Sequence, residues 1–317
     1  MAWSRYIGGR LLTLVLTVLV GSVVVFLVMK AAPGDPAVAA LGENARPELV
    51  AAFRARHNLD VPWAQQYGRW LADAVRGDFG RSLTVASDRA IAGLIAARLP
   101  NTLFIGLMAL AIAVALSLIA GTVAALRRGK LADTVATSMA AVGISMPDFW
   151  LSYVLILVFA LGLGWFPSYG FIAPSQTLSG ALYSGFLPAL AVAAPLAAVF
   201  ARTLRTALLE TGGRDYVVAA RSFGFHPAYV FLHWIFRNAL IPYITIIGLQ
   251  VRYILGGVVV IERIFGIAGI GSLMVDGAFA RDYPVVQACA VVFLVIVLSV
   301  NLFVDAVCSW LDPKRTR

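Results

Sequence analysis

Residues 202–238 read RTLRTALLETGGRDYVVAARSFGFHPAYVFLHWIFRN and form the one long polar passage between two apolar segments of this chain. The passage is charged at its start, and Gly224 is followed two residues later by His226 and Pro227. Glycine permits the backbone angles of a sharp turn, and proline is favoured in the first turn of a helix. The pattern therefore predicts two short helices joined around Gly224. We call residues 202–238 the elbow.

The composition on either side of the elbow is that of an integral membrane protein. Hydrophobic residues make up 61% of the 317 residues and charged residues only 13%, which is far from the usage of a soluble domain. A helix needs ~20 apolar residues to cross ~30 Å of hydrocarbon, and six apolar segments approach that length. These segments are residues 11–29, 102–126, 134–163, 186–201, 239–261 and 285–304. The fourth is short and contains two prolines, so the pattern does not define its ends.

Lysine and arginine cluster in short connections that fall on one side of the membrane if both termini are cytoplasmic. Such charges are retained on the cytoplasmic side. They are Arg5, Arg10, Arg127, Arg128, Lys130, the arginines of the elbow, Lys314, Arg315 and Arg317. The elbow is therefore predicted to be cytoplasmic. The long segment 30–101 is predicted to be external, because long translocated loops are nearly exempt from the charge rule.

The sequence predicts three parts. Residues 1–101 hold the first span and an external loop that is helical in pieces, with Pro47 and Pro62 near helix starts. The 19-residue apolar core of the first span exceeds the ~7–15 residues of a signal peptide, which favours an uncleaved span. Residues 102–308 hold five further spans and the elbow, and residues 309–317 form a cytoplasmic tail. The external loop is interpreted either as a packed cap or as a docking surface.

Several classes of function lack the residues that they need. A phosphate-binding loop requires a lysine preceded by glycine and followed by serine or threonine, and Lys30, Lys130 and Lys314 do not meet this pattern. The chain is therefore not expected to hydrolyse ATP. Its net charge of +9 is spread over membrane exits rather than gathered on one folded face, which argues against nucleic-acid binding. No metal site or paired nucleophile and base is expected in the spans.

Two ionisable residues lie deep within predicted spans. Asp148 and Arg252 stand ~21 Å and ~20 Å from the cytoplasmic ends of their helices at 1.5 Å per residue, so their depths are similar. Charges at such depth are costly and usually face the bundle interior or a wet cavity. Two interpretations remain open: an ion pair between the two helices, or groups of a translocation pathway that meet the amine and carboxylate of a zwitterionic solute.

Several sequence blocks, taken in order and spacing, carry a family resemblance. Among them are Pro33-Gly34-Asp35-Pro36, Gly77-Asp78-Phe79-Gly80-Arg81-Ser82-Leu83, Arg98-Leu99-Pro100-Asn101-Thr102, Arg237-Asn238-Ala239-Leu240-Ile241-Pro242 and Arg281-Asp282-Tyr283-Pro284-Val285-Val286-Gln287. The chain resembles the membrane-spanning permease subunits of bacterial ATP-binding-cassette (ABC) importers of the dipeptide, oligopeptide and nickel type. The resemblance covers nearly the whole chain and implies an all-α polytopic fold of the type I ABC importer permeases, located in the bacterial inner membrane.

The resemblance also implies a role for the elbow. In this family the corresponding passage is a coupling loop that inserts into a separate ATPase subunit, with a Glu-Ala-Ala pattern followed by glycine. The glutamate is replaced here by Val218, so any ion pair it would make is not carried over. The candidate coupling residues are Asp215, Ala219, Ala220, Arg221 and Gly224.

The implied partners are a homologous second permease, two ATP-binding-cassette ATPase subunits, an external solute-binding protein and membrane lipid, with no nucleic acid. No cofactor is expected on this chain, and ATP with magnesium would bind the ATPase partners. The implied function is an importer permease for dipeptides or oligopeptides. The alternatives are a permease for nickel or another small solute, and an ATP-independent secondary transporter.

Overall fold

The computed structural model describes residues 2–31, 34–42, 44–86 and 88–311 of this chain. Over these ranges the backbone forms helices and no extended strand, apart from one bridge between Arg81 and Ala90. Five helices are long and apolar enough to cross a membrane, or up to seven if each bent helix pair counts as one span. The all-α polytopic fold class is confirmed. The basic tail that contains Lys314 lies outside the described residues.

Thirteen helices are numbered here in chain order within the described residues. They are α1 Ala2–Ala31, α2 Pro36–Leu41, α3 Pro47–Arg56, α4 Trp63–Val75, α5 Ile91–Leu126, α6 Leu131–Ser145, α7 Asp148–Leu155, α8 Leu178–Gly212, α9 Asp215–Ser222, α10 Pro227–Tyr229, α11 Arg237–Phe265, α12 Ile270–Phe279 and α13 Tyr283–Leu311. Two π-helical turns extend them, Ile156–Gly162 after α7 and Val230–Phe236 after α10.

The chain divides into two compact units. Unit 1 comprises Met1–Thr102 with Ala268–Ser299, and unit 2 comprises Leu103–Ile267 with Val300–Arg317. The sequence division placed residues 268–299 in the second part, whereas their contacts place them in unit 1. Packing between segments so distant in the chain leaves no local pattern in the sequence.

Unit 1 is held by a small apolar core and a buried carboxylate. Ile91 of α5, Leu273 of α12 and Val285 of α13 are fully buried in this core. The Asp282 carboxylate, also fully buried, accepts hydrogen bonds from the Ser82 hydroxyl at 2.6 Å and the Thr84 backbone N–H at 2.9 Å. Because a buried carboxylate must be hydrogen-bonded, this contact fixes the segment after α4 against the start of α13.

The short helices α2 and α3 are joined by the side chain of Asp35. Its carboxylate caps α2 by accepting from the Ala37 N–H at 2.9 Å, and it also pairs with Arg54 of α3. Partial burial raises the pKa of Asp35, but these hydrogen bonds and the Arg54 charge outweigh burial and hold the pKa below its ordinary value.

Unit 2 is built around α8, which is buried over most of its length and packs against α6, α7 and α11. The fourth span was predicted at residues 186–201, but the helix continues through Pro188 and Pro195 to Gly212. Prolines are tolerated in such a helix because neighbouring helices satisfy the freed backbone groups. Gly121 of α5 lies so close to α8 that a Cβ added to it would be 2.8 Å from the carbonyl oxygen of Ala201.

The third predicted span, residues 134–163, is a broken one. Helices α6 and α7 meet at an angle of 110°, with Met146 and Pro147 between them. Met146 has extended backbone angles, φ −86° and ψ 126°, as expected for a residue that precedes proline. The chain is therefore fully broken at Pro147, and Asp148 is the first residue of a new helix.

Candidate functional site

The elbow connects α8 to α11 through one separate short helix and one continuous helical segment. The first predicted short helix is α9, Asp215–Ser222, and a turn follows it. The second predicted short helix is instead α10, which runs through the π-helical turn Val230–Phe236 directly into α11. Likewise, α8 extends to Gly212, so the first third of the elbow continues a span. The polar turn is shorter than the sequence suggested.

Gly224 ends α9 in a left-handed conformation. Its φ is +79°, its N–H donates to the Arg221 carbonyl oxygen at 3.0 Å, and no heavy atom lies within 4 Å of the position that a Cβ would take. The requirement for glycine is therefore conformational rather than steric, because left-handed angles are unfavourable for other residues. Gly224 directly follows Phe223, the C-cap of α9, and is the turning point of the elbow.

The inner face of α9 is anchored to the helical bundle of unit 2. Val217 and Ala220, three residues apart and thus on one helix face, are buried in the main core. The rings of Tyr216 and Trp234 lie 6.1 Å apart, which ties α9 to the helical segment that follows it. Of the two alanines among the candidate coupling residues, Ala220 is buried and Ala219 is exposed.

The outer face of the elbow is exposed and carries apolar side chains beside charged ones. Around the turn, the large exposed apolar side chains are Tyr216, Val218, Phe223 and Phe225. Tyr229, Leu232 and Trp234 are also exposed, but they lie in the segment Pro227–Ile254, which is long and apolar enough to cross a membrane. Phe223 is 82% exposed at the turn. The predicted coupling residues Asp215, Ala219 and Arg221 lie exposed on the same short helix. Sequence reasoning missed Phe223, although an aromatic residue beside the turn glycine of a polar passage was a signal for it.

A bidentate ion pair supports the α8 end that leads into the elbow. Arg205 Nε and Nη2 donate to the two oxygens of Asp133 at 2.6 and 2.8 Å, and Asp133 also accepts from the Gly129 N–H at 2.9 Å. Asp133 is buried, and paired N–H donors match a carboxylate in geometry. This contact fixes the start of α6 against α8. The sequence placed Arg205 in the elbow without identifying its partner.

Asp148 and Arg252 do not form the ion pair that was one of two interpretations. The Asp148 carboxylate accepts a hydrogen bond from the Tyr253 hydroxyl at 3.2 Å, and Arg252 is exposed on α11 with no ion pair to Asp148 among the described residues. Gly257 makes room for this carboxylate, since a Cβ there would lie 2.9 Å from Asp148 Oδ2. Pro147 places Asp148 in the first turn of α7, where the helix dipole favours an anion.

No group of three or more histidine, cysteine, aspartate or glutamate side chains is placed to hold a metal ion in the part of the chain that the structure describes. The structure therefore offers two surfaces for binding. One is the elbow tip, as we call the exposed apolar side chains of Val218, Phe223 and Phe225 around the turn. The other is the half-exposed carboxylate of Asp148 on α7 with Tyr253 of α11.

These features define a class, a polytopic helical membrane protein that exposes a structured elbow between two of its helices. Residues 113–317 match the family model of the binding-protein-dependent transport system inner membrane component, and residues 3–106 match the model of the N-terminal part of such membrane components. The chain belongs to this family. It is therefore a multi-pass inner-membrane transport subunit and not an enzyme, and its family works with a solute-binding protein and an ATPase.

Relatives cover almost the whole chain. A protein of Brucella abortus named as a peptide transport system permease is 38% identical over 296 residues, which is 93% of this chain and 94% of that protein. The glutathione transport system permease protein GsiC of Escherichia coli is 36% identical over 309 residues, 98% of each chain. One solved structure, an amino acid ABC transporter with histidines, aligns with a TM-score of 0.49 and 18% identity over 70% of this chain and 94% of that chain.

Proposed function

We propose that this chain is one of two homologous permease subunits of an ATP-driven importer of dipeptides or oligopeptides. The two permeases form the translocation path between them. Two ATPase subunits bind on the cytoplasmic side of the membrane, and a solute-binding protein delivers the peptide on the external side. This chain binds no cofactor in the proposed complex, and ATP with magnesium is held by the ATPase subunits.

The observation that carries the proposal is the exposed apolar tip of the elbow. Exposed aromatic side chains on a structured turn are typical anchors of protein interfaces. Val217 and Ala220 hold the inner face of α9, so a partner that grips the outer face at Phe223 would move α9 and the adjoining helices together. A rigid helix pair can transmit the closure of an ATPase to the spans that it joins.

The peptide specificity rests on two supports. The relatives named as peptide and glutathione permeases align over more than nine-tenths of the chain. Asp148 is half-buried and Tyr253 is 46% exposed. A half-buried carboxylate among apolar helices is unsuited to lipid, and it suits a path for a solute with a free amine. Asp148 would then bind the ammonium group of a peptide, and Arg252 a carboxylate.

Cysteine cross-linking tests the elbow assignment. In a chain with Cys289 and Cys308 replaced by serine, Arg221→Cys should cross-link to the ATPase subunit of the purified complex. The matched variant Lys130→Cys, exposed in a different short connection, should not. Failure of Arg221→Cys to capture the ATPase, or equal capture by both variants, would refute the assignment.

Uptake by the reconstituted complex tests the substrate assignment. Asp148→Asn should lower the uptake of a dipeptide with a free amine about tenfold, the size expected for one lost charge-assisted hydrogen bond. Uptake of the N-acetylated dipeptide should be unchanged, because it carries no ammonium group. The neighbouring exposed Tyr153→Phe is the control for α7. An equal effect on both peptides, or no effect, would remove Asp148 from the path.

A further inference from the structure

Unit 1 contains a cavity of about 360 Å³ whose lining includes neither Asp148 nor any residue of the elbow. It lies between the end of α1, the start of α2, the end of α3 with the turn after it, helix α4, the segment that follows α4 and the start of α13. All of its lining residues belong to unit 1. Its size is that of a site for a small molecule or for the headgroup of a larger one.

Two buried hydrogen-bond donors at this cavity have no partner in the part of the chain that the structure describes. The indole Nε1–H of Trp70 and the amide Nε2 of Gln287 are buried and make no hydrogen bond to any described residue. Both residues line the cavity, and Gln287 is only 6% exposed. Buried donors are almost always paired, so two orphans at one cavity indicate that an acceptor belongs there.

Lys30 brings a positive charge to the same cavity. The lysine is partly buried at the end of the α1 span, where its ammonium group donates to the Gln66 side-chain oxygen and lies 5.6 Å from the centre of the Phe26 ring. No carboxylate lies within ion-pair distance of it among the residues that the structure describes. A partly buried ammonium held only by a neutral amide and a ring is incompletely compensated.

The charge around the cavity is also positive. The charged side chains that line it are Lys30, Arg56, Arg69, Arg81, Asp73 and Asp78. Arg81 and Arg56 lie 3.2 and 4.0 Å from the single carboxylate of Asp88, so both share one acid. An anion that enters the cavity would therefore meet an attractive field as well as the unpaired donors.

From this geometry we infer that the cavity binds an oxyanion, held by Lys30, Trp70 and Gln287. Its chemistry is that of a phosphate group, either in the headgroup of an anionic phospholipid or free in solution. Lys30 lies at the membrane exit of α1, the depth at which lipid headgroups are found, and lysines at span ends reach toward them. The oxyanion would satisfy both orphan donors and the ammonium group at once.

Native mass spectrometry of the purified complex tests this site. The complex is taken from nanodiscs that contain phosphatidylcholine with a minor share of phosphatidylglycerol, and retained lipid is measured as a function of phosphatidylglycerol content. Lys30→Met and Gln287→Leu should each weaken retention of phosphatidylglycerol about tenfold, the effect of losing one hydrogen bond to a charged group. Lys130→Met, which removes an exposed lysine at another membrane exit, should retain it as the unaltered chain does.

A second arm separates the two sources of the oxyanion. Inorganic phosphate is titrated into the detergent-purified complex, and tryptophan fluorescence is compared with that of Trp70→Phe. Retained phosphatidylglycerol that millimolar phosphate does not displace identifies the lipid. A saturable phosphate response that is lost in Trp70→Phe identifies the free ion.

Gln287→Leu provides an independent check through the direction in which it shifts the unfolding temperature. If the cavity holds no anion, replacing an unpaired buried amide with an apolar side chain of similar size should raise the unfolding temperature. If an oxyanion is bound, the replacement should lower it in phosphatidylglycerol. Equal retention of lipid in all variants with no phosphate response, or a higher unfolding temperature of Gln287→Leu under every condition, would overturn the inference.

Discussion

Replacing Phe223 by alanine should weaken the binding of the ATPase subunit without harming the fold. Phe223 is 82% exposed, so its side chain contributes little to the packing of this chain alone. A phenylalanine offers roughly 200 Å² of surface, and enclosing the exposed share would bury roughly 160 Å², or about 4 kcal/mol at ~25 cal/mol per Å². Ordering of the side chain and imperfect packing remove about half of this free energy. The remaining ~2 kcal/mol corresponds to an increase of about 30-fold in Kd.

The assay is a titration of fluorescent ATPase subunit onto the permease pair in nanodiscs. The chain offers a matched control in Phe279, which is 83% exposed at the end of α12. Phe279→Ala should leave the Kd within about twofold, and both variants should unfold at the temperature of the unaltered chain. An unchanged Kd in Phe223→Ala, or equal weakening in both variants, would refute the reasoning that the elbow tip is the anchor.

Three further changes test the supports of the two units. Gly224→Ala should slow transport-coupled ATP hydrolysis and cost about 1–2 kcal/mol of stability, because the left-handed φ of +79° is strained for alanine although the space around it is open. Gly224→Asn should recover part of the hydrolysis rate and part of the stability. Equal behaviour of the two variants would contradict the conformational role of Gly224. Asp133→Asn should lower the unfolding temperature because it leaves Arg205 without its carboxylate, and the double change Asp133→Leu with Arg205→Met should restore it; a double variant no better than the single one would argue against the pair. Asp282→Ala should cost about 2–4 kcal/mol by leaving the Ser82 hydroxyl and backbone N–H groups unpaired, and should expose residues 80–90 to limited proteolysis; unchanged protection would contradict the role of this carboxylate.

Helical spans could be predicted from the sequence because the constraint that produces them is local. Backbone groups in hydrocarbon must pair within their own segment, so apolar length alone identifies a helix. The extent of α8 could not be predicted, since its prolines are tolerated only because neighbouring helices enclose them. The contact between Ser82 and Asp282 could not be predicted either, because these residues are 200 positions apart in the chain. Both segments had been singled out as blocks of the family resemblance, but the hydrogen bond that joins them had not.

In the candidate site, too, a local requirement could be predicted from the sequence and a contact between helices could not. Gly224 was predicted correctly as a turning point, because a left-handed residue is a local requirement that glycine meets. Similar depth suggested that Asp148 and Arg252 could pair, but depth says nothing about which face of a helix a residue occupies. Tyr253, one position further along α11, reaches the carboxylate instead.

The arrangement of unit 2 indicates where a movement of the elbow would be absorbed. Helix α8 is enclosed over most of its length and α6 is fixed to it by Asp133 and Arg205, so these two helices should move as one body. The chain breaks by 110° between α6 and α7, where Pro147 has no N–H to continue the helical hydrogen bonds, and Asp148 is the first residue beyond the break. A pull on the elbow in the proposed mechanism would thus change the angle at Pro147 more readily than it would bend α8. The carboxylate proposed to meet the peptide lies at that joint, where a rotation driven by the ATPase would move it most directly.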